Sequence, residues 1–309
     1  MWLCTRRGPW WEGSPGIEGV AGEGSICLNQ GRRAVRCGGF LGARLRSGSV
    51  RPHEQRGVGD CMLLDFANGF FAVSDSSDRN PSFSRRFMLR FADVLDGMPR
   101  IGTGEVFGEA ERAALKREVE VRSSTVLCEM SCTESCTFTA VLILRTEAGW
   151  QGLVLHTGDS LLLQFDLGAR RVRQITESNF WMVGRTSRFF QVEYVFLTEE
   201  TRLLLATDGF FGLEMRGAGT REDFVRQIFD AHSVEEIPDV LLARYDARDR
   251  VRDDLALISL DPARIFFSDR RIVLGGTTAD LERRFRDGLT SGQYKNLYEP
   301  MPRTGVSVM

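Results

Sequence analysis

Long apolar runs are missing from this 309-residue chain. No stretch approaches the ~20 consecutive apolar residues of a membrane-spanning helix, so no membrane partner is expected. Met1 to Trp11 also lacks the apolar centre of a secretion signal, and the chain is read as cytoplasmic. A surplus of charge of one sign is missing as well: 40 Lys and Arg stand against 42 Asp and Glu, a formal charge of −2. That balance gives no general pull toward polyanions, and no nucleic-acid partner is expected. Histidine is scarce, with His53, His156 and His232 making up the set of 3. His156 sits in an apolar strand pattern and is read as a core residue, not an acid catalyst. Cysteine numbers 7, an odd count in a chain too long to need disulfide staples, so reduced thiols are expected. Cys128, Cys132 and Cys136 recur every fourth residue, but structural zinc sites use closer pairs with distant partners, so buried apolar packing is expected instead. No internal repeat is visible.

What is present is an ordinary globular composition, 42% hydrophobic and 27% charged, with a device used three times. Phe71-Ala72-Val73-Ser74-Asp75-Ser76-Ser77-Asp78 is a strand-forming run that ends in acidic and small polar residues. Leu203-Leu204-Leu205-Ala206-Thr207-Asp208-Gly209 repeats it, and Asp253-Asp254 runs straight into Leu255 to Leu260. A carboxylate at a strand end is aimed by rigid backbone and left open by a loop. Three such carboxylates, gathered by a fold, suit a hard divalent cation such as Mg²⁺ or Mn²⁺.

The elements around them read as strands, two helices, strands, two helices and a strand. A first strand is expected between Ala34 and Ser49, then a hairpin from Cys61 to Phe66 and Phe70 to Ser74 about the turn Ala67-Asn68-Gly69. Helices are expected after Pro81, with Phe83, Phe87, Phe91, Val94 and Leu95 in helical spacing, and from Glu109 to Val121 or beyond. Phe138 to Leu144, Gly152 to His156 and Leu161 to Phe165 read as strands. Val195 to Leu197 and Leu203 to Ala206 read as a pair around Thr198-Glu199-Glu200. Helices at Thr220 to His232 and Val234 to Tyr245 precede a last core strand at Leu255 to Leu260. The order lacks strict strand-helix alternation, which favours α+β with antiparallel sheets over a doubly wound parallel sheet. Three segments are expected: a weakly ordered Gly/Arg-rich leader at 1–33, the main domain at 34–262, and an extension at 263–309 with one helix, Thr278 to Leu289, and a tail.

The ordered set Arg56-x-x-x-Asp60, Phe71 to Asp75, Ser135-Cys136-Thr137-Phe138, Gly158-Asp159-Ser160, Ala206-Thr207-Asp208-Gly209 and Asp253-Asp254-Leu255 resembles the PP2C-type (PPM) metal-dependent protein serine/threonine phosphatases over residues 34 to 261. The resemblance implies a four-layer αββα sandwich of two antiparallel β-sheets flanked by helix pairs. It implies two Mn²⁺ or Mg²⁺ ions, with Asp75 bridging them, Asp208 and Asp253 completing the first, and Asp60 serving the second; the backbone carbonyl of Ser76 is a further candidate metal ligand. Arg56 would seat the phosphate of a phosphorylated protein substrate, since a guanidinium offers paired donors and keeps its charge. The implied reaction is attack of a metal-activated water on phosphoserine or phosphothreonine, with no nucleophilic side chain. The sequence departs from the family pattern at several points. Asp60 replaces Glu, Cys61 an acidic residue, Ser76-Ser77-Asp78-Arg79 a glycine-rich turn, Asp254 an Asn, and Gly212 an aspartate associated with a third metal. The alternative these departures suggest is a phosphatase-like module that binds phosphoproteins or scaffolds a partner.

Overall fold

The computed structural model describes residues 2–5, 26–29, 33–48, 57–76, 80–98, 105–131, 133–210, 221–246, 253–268, 270–291, 299–300 and 305–307. Two sheets form its centre. The first holds, in spatial order, β1 (Trp2–Thr5), β2 (Ile26–Asn29), β3 (Ala34–Cys37), β4 (Leu41–Arg46), β14 (Leu255–Leu260), β13 (Thr201–Ala206), β10 (Leu161–Asp166) and β11 (Arg171–Gln174). The second runs β12 (Gln191–Leu197), β9 (Gly149–Thr157), β8 (Phe138–Thr146), β6 (Phe70–Ser74), β5 (Val58–Asp65), β15 (Arg271–Thr277), β17 (Gly305–Ser307) and β16 (Glu299–Pro300), with β7 (Val106–Phe107) also on β8. Pairing is antiparallel except for β7 with β8 and β15 with β17.

The continuous apolar runs follow from burial on both faces of each sheet. Along β5, Met62 and Leu64 point into the core between the sheets, while Cys61 and Leu63 point into a second core under helices. Along β13, Leu203 and Leu205 face the inter-sheet core, while Leu204 and Ala206 face a third core. Side chains alternate across a strand, so a strand covered on both sides must be apolar at every position. The second core is closed by α1 (Ser82–Asp96) and α2 (Glu109–Glu129), and the third by α3 (Arg221–Asp230) and α4 (Ile237–Asp246). The layers are therefore helix pair, sheet, sheet, helix pair. Phe83, Phe87, Phe91 and Leu95 supply the buried stripe of α1, each worth roughly 1.5–3 kcal/mol on burial.

Several expectations are corrected. Within the span 34–49, Ala34–Cys37 and Leu41–Arg46 form a hairpin turned at Gly39. Val195 to Leu197 and Leu203 to Ala206 do not pair: β12 is the edge of the second sheet against β9, and β13 lies in the first sheet between β10 and β14. A short link cannot distinguish a hairpin from a crossing between layers. Trp2–Thr5 and Ile26–Asn29 add two strands to the edge of the first sheet. Leu255–Leu260 is not the last core strand. Fully buried β15 pairs with β5 and contributes Ile272 and Leu274 to the inter-sheet core. Its Gly275-Gly276 forms a β-bulge, both residues having positive φ. A Cβ on Gly275 would lie 2.1 Å from the Asp60 carbonyl oxygen, and one on Gly276 2.4 Å from Arg85 Cβ, so only glycine lets the strand pass there. Helix α5 (Ala279–Ser291) follows and is tied in by Glu282, which is buried and takes hydrogen bonds from Arg33 and Thr277.

Candidate active site

Five short segments end at one rim of the sandwich. Asp60 lies in β5 and Asp75 directly after β6, both in the second sheet. Asp208 follows β13 and Asp253 precedes β14, both in the first. Asp159 lies where the chain crosses from β9 to β10. Asp60 is buried, Asp75, Asp159 and Asp208 are half-buried, and Asp253 is exposed.

The carboxyls act on one another electrostatically. Burial raises the Asp60 carboxyl well above the usual carboxylate range, reinforced by the negative charges of Asp75, Asp254 and Asp208. Burial also raises Asp75, with Asp208, Asp253 and Asp159 adding to it, and a hydrogen bond with the Asp60 side chain partly offsets the rise. Asp208 is pushed up to about 6 by burial, then by Asp253 and Asp159. Carboxylates from two sheets therefore share one field, and each makes the charge of the others costlier. Among the described residues, no three Asp, Glu, His or Cys side chains close on a common point at ligating distance. The chemistry of the carboxylates, all-oxygen and anionic, fits a hard divalent cation.

Neutral groups fix the acids in place. Thr207 Oγ1 accepts from Ala256 N at 2.9 Å, which directs its own hydrogen to Asp60 Oδ2 and links the two sheets at the site. Thr137 Oγ1 accepts from Asp75 N at 2.9 Å and meets Ser160 Oγ at 2.7 Å, while Thr137 N donates to Asp75 O at 2.8 Å. The buried carboxylate of Asp254 accepts from Gly48 N at 2.7 Å and Gly59 N at 2.8 Å, clamping the end of β4 to β5 one residue before Asp60. Gly59 is required there, because a Cβ would lie 2.2 Å from the Ser76 carbonyl oxygen. The Ser76 hydroxyl turns inward, donating to backbone carbonyls that include Pro81 O at 2.9 Å.

Of the residues expected at the site, Asp60, Asp75, Ser76, Asp208 and Asp253 gather at this rim. Arg56 lies outside the described residues, as do Ser77 to Arg79 and Gly212. Sequence reasoning missed the roles of Thr207, Thr137 and Asp254. Each stands inside or beside a motif already singled out, but a hydroxyl or carboxylate shows its backbone partner only once the strands are paired. His156 is buried between Thr139 Oγ1 at 2.8 Å and Glu177 O at 2.9 Å, and burial holds its imidazole below the ordinary histidine range. Cys128 is exposed on α2 and Cys136 is buried beside Ser76, while Cys132 lies outside the described residues.

No protein-family model matches the sequence, and no curated protein matches it significantly. Solved structures do. The serine/threonine phosphatase PstP/Ppp of Mycobacterium tuberculosis superposes with a TM-score of 0.51 at 17% identity, over 72% of this chain and 98% of that one. The catalytic domain of PstP in complex with 2 manganese ions gives 0.51 at 18% identity, over 72% and 98%. PppA, a regulatory component of T6SS in Pseudomonas aeruginosa, gives 0.52 at 15% identity, over 71% and 96%. The fold of this chain is that of the PP2C-type, or PPM, serine/threonine phosphatases.

Proposed function

We propose that this protein hydrolyses phosphoserine or phosphothreonine in protein substrates, using two Mn²⁺ or Mg²⁺ ions. The observation that carries the reading is the set of carboxylates at adjoining strand ends of two sheets, raised by burial and by one another. A cluster of like charges so placed is costly without a counter-charge, and a divalent cation supplies it. Asp75 would be shared between the ions, Asp208 and Asp253 would complete one, and Asp60 with the Ser76 carbonyl would hold the other. When bound, such ions lower the pKa of a coordinated water and neutralise phosphate oxygens.

The chain's own residues do the positioning. Thr207 holds Asp60 in one rotamer, Thr137 fixes the backbone of Asp75 on both sides, and Asp254 fixes the approach of β5 to the first sheet. Arg56 would seat the phosphate, three residues before Gly59 on the segment that enters β5. The solved PstP complex with 2 manganese ions supports the metal reading by likeness of fold.

The test is hydrolysis of an aryl phosphate and of a phosphothreonine peptide by the purified protein, with Mn²⁺ and with EDTA. Mn²⁺-dependent release of phosphate, lost in Asp208→Asn and reduced about a hundredfold in Arg56→Ala with Mn²⁺ affinity retained, is the expected result. Equal rates in EDTA and Mn²⁺, or no hydrolysis at all, would overturn it.

A further inference from the structure

A short bow of chain stands beside the carboxylate rim with both feet tied to it. At one foot, Asn179 N donates to Gly158 O at 2.8 Å and Asn179 Oδ1 accepts from Gly158 N at 3.0 Å, next to Asp159. At the other, Val183 and Cys136 exchange backbone hydrogen bonds of 3.0 and 3.3 Å, and Cys136 in turn bridges Ser76. Between the feet stand Phe180, 101% exposed, and Trp181, 37% exposed. Trp181 lines a cleft of about 640 Å³ with Glu120, Ser124, Phe189, Phe190 and Val192. That volume lies within the ~300–1,000 Å³ common to ligand pockets.

Aromatic side chains offer an apolar occupant one wall of the cleft. Its aromatic wall is preformed: Trp181 meets Phe190 edge-on at 5.7 Å, and the Arg188 guanidinium lies 5.4 Å from the Trp181 ring centre. Its floor includes Phe189, buried and stacked on Phe138 at 5.3 Å. On the helix side, Ser123 and Ser124 turn their hydroxyls back to the carbonyls of Val119 and Glu120. Glu120 and Arg188 bring opposite charges to its lining, so neither sign of occupant is favoured. Trp181 is two residues from each foot, which keeps its backbone within roughly 15 Å of that of Asp159 by chain reach. Four or five extended residues span that distance.

We propose that this cleft selects phosphoprotein substrates, taking a large apolar side chain that lies within about five residues of the phosphorylated residue. The proposal rests on the phosphatase reading above. A phosphate at the rim and an apolar side chain under Trp181 would be held by one extended segment, and the rigid aromatic wall lowers the ordering cost of that docking.

The test uses Mn²⁺-loaded protein and synthetic phosphothreonine peptides of otherwise Gly/Ser sequence, with a single Leu or Phe moved through five positions on each side. The quantity read is the ratio of kcat/KM for each apolar peptide to that for the plain peptide. The wild type should prefer at least one position, mainly through KM. Trp181→Ala should cut that preference about tenfold, the effect of losing one large aromatic anchor, and Trp181→Phe should restore most of it. No positional preference in the wild type, or one unchanged in Trp181→Ala, would overturn the proposal. Failure of the wild type to hydrolyse an aryl phosphate with Mn²⁺ would overturn the phosphatase reading itself, and the cleft's role with it.

Discussion

The two ends of strand β5 carry the same residue type and give it opposite surroundings. Asp65, fully buried, accepts from Arg271 Nη2 at 2.7 Å and Nε at 3.1 Å, from Asn68 Nδ2 at 2.9 Å and from Ala67 N at 3.0 Å. Arg271 completes its own pairing with Asp96. Asp60, 1% exposed, meets Thr207 and further carboxylates. At the first end, the described side chains balance the charge, and the result is a structural clasp joining a hairpin turn, β15 and α1. At the second, the described carboxylates raise one another. A buried carboxylate is therefore read by its partners more than by its burial.

The sharpest way to break this comparison is Asp75→Asn. It should lower Mn²⁺-dependent kcat on an aryl phosphate on the order of a thousandfold, about 4 kcal/mol, while raising the metal-free melting temperature by relieving repulsion with Asp60 and Asp208. A variant that loses activity and stability together would place Asp75 with the structural carboxylates. Asp65→Ala should behave in the opposite way, costing about 3 kcal/mol in urea denaturation by leaving a buried guanidinium short of a partner. Its kcat per folded molecule should match the wild type.

Thr207→Val tests the finer point that Asp60 is held by a hydroxyl. Orienting partners of this kind typically affect metal affinity 10- to 100-fold, and a loss near about tenfold in Mn²⁺ affinity by calorimetry is expected, with Thr207→Ser close to wild type. Equal losses in both variants would show that the methyl group, not the hydrogen bond, matters.

The smallest effect is on pH dependence without metal. Asp208 titrates near 6 when folded, above its unfolded value, so the folded state binds the extra proton. Its contribution to stability is therefore present below the unfolded value near 4 and is lost as pH rises through about 6. In EDTA, the melting temperature of wild type minus that of Asp208→Asn should fall between pH 4.5 and 7.5. With Mn²⁺ that trend should flatten or reverse. A difference that rises with pH in EDTA would remove Asp208 from the cluster.

The sequence alone determined most of the strands and helices and set aspartates at strand ends. Apolar runs such as Leu203 to Ala206 announce strands buried on both faces, and aspartates that cut such runs short announce strand ends, because both signals are local and depend on period and composition. The β5–β6 hairpin and the α1 stripe were legible for the same reason. Tertiary structure alone decided which sheet each strand joins. It separated Val195–Leu197 from Leu203–Ala206, and it placed Arg271–Thr277, inside the span expected to be a C-terminal extension, in the core. It also made Asp254 a clamp on Gly48 and Gly59 and gave Thr207 its hold on Asp60. These are contacts across 49 to 206 positions of sequence, and neither the pleat nor the propensity of a segment encodes its distant partner. The partner is chosen by which pairing buries the apolar faces and satisfies the backbone, and that choice belongs to the whole chain.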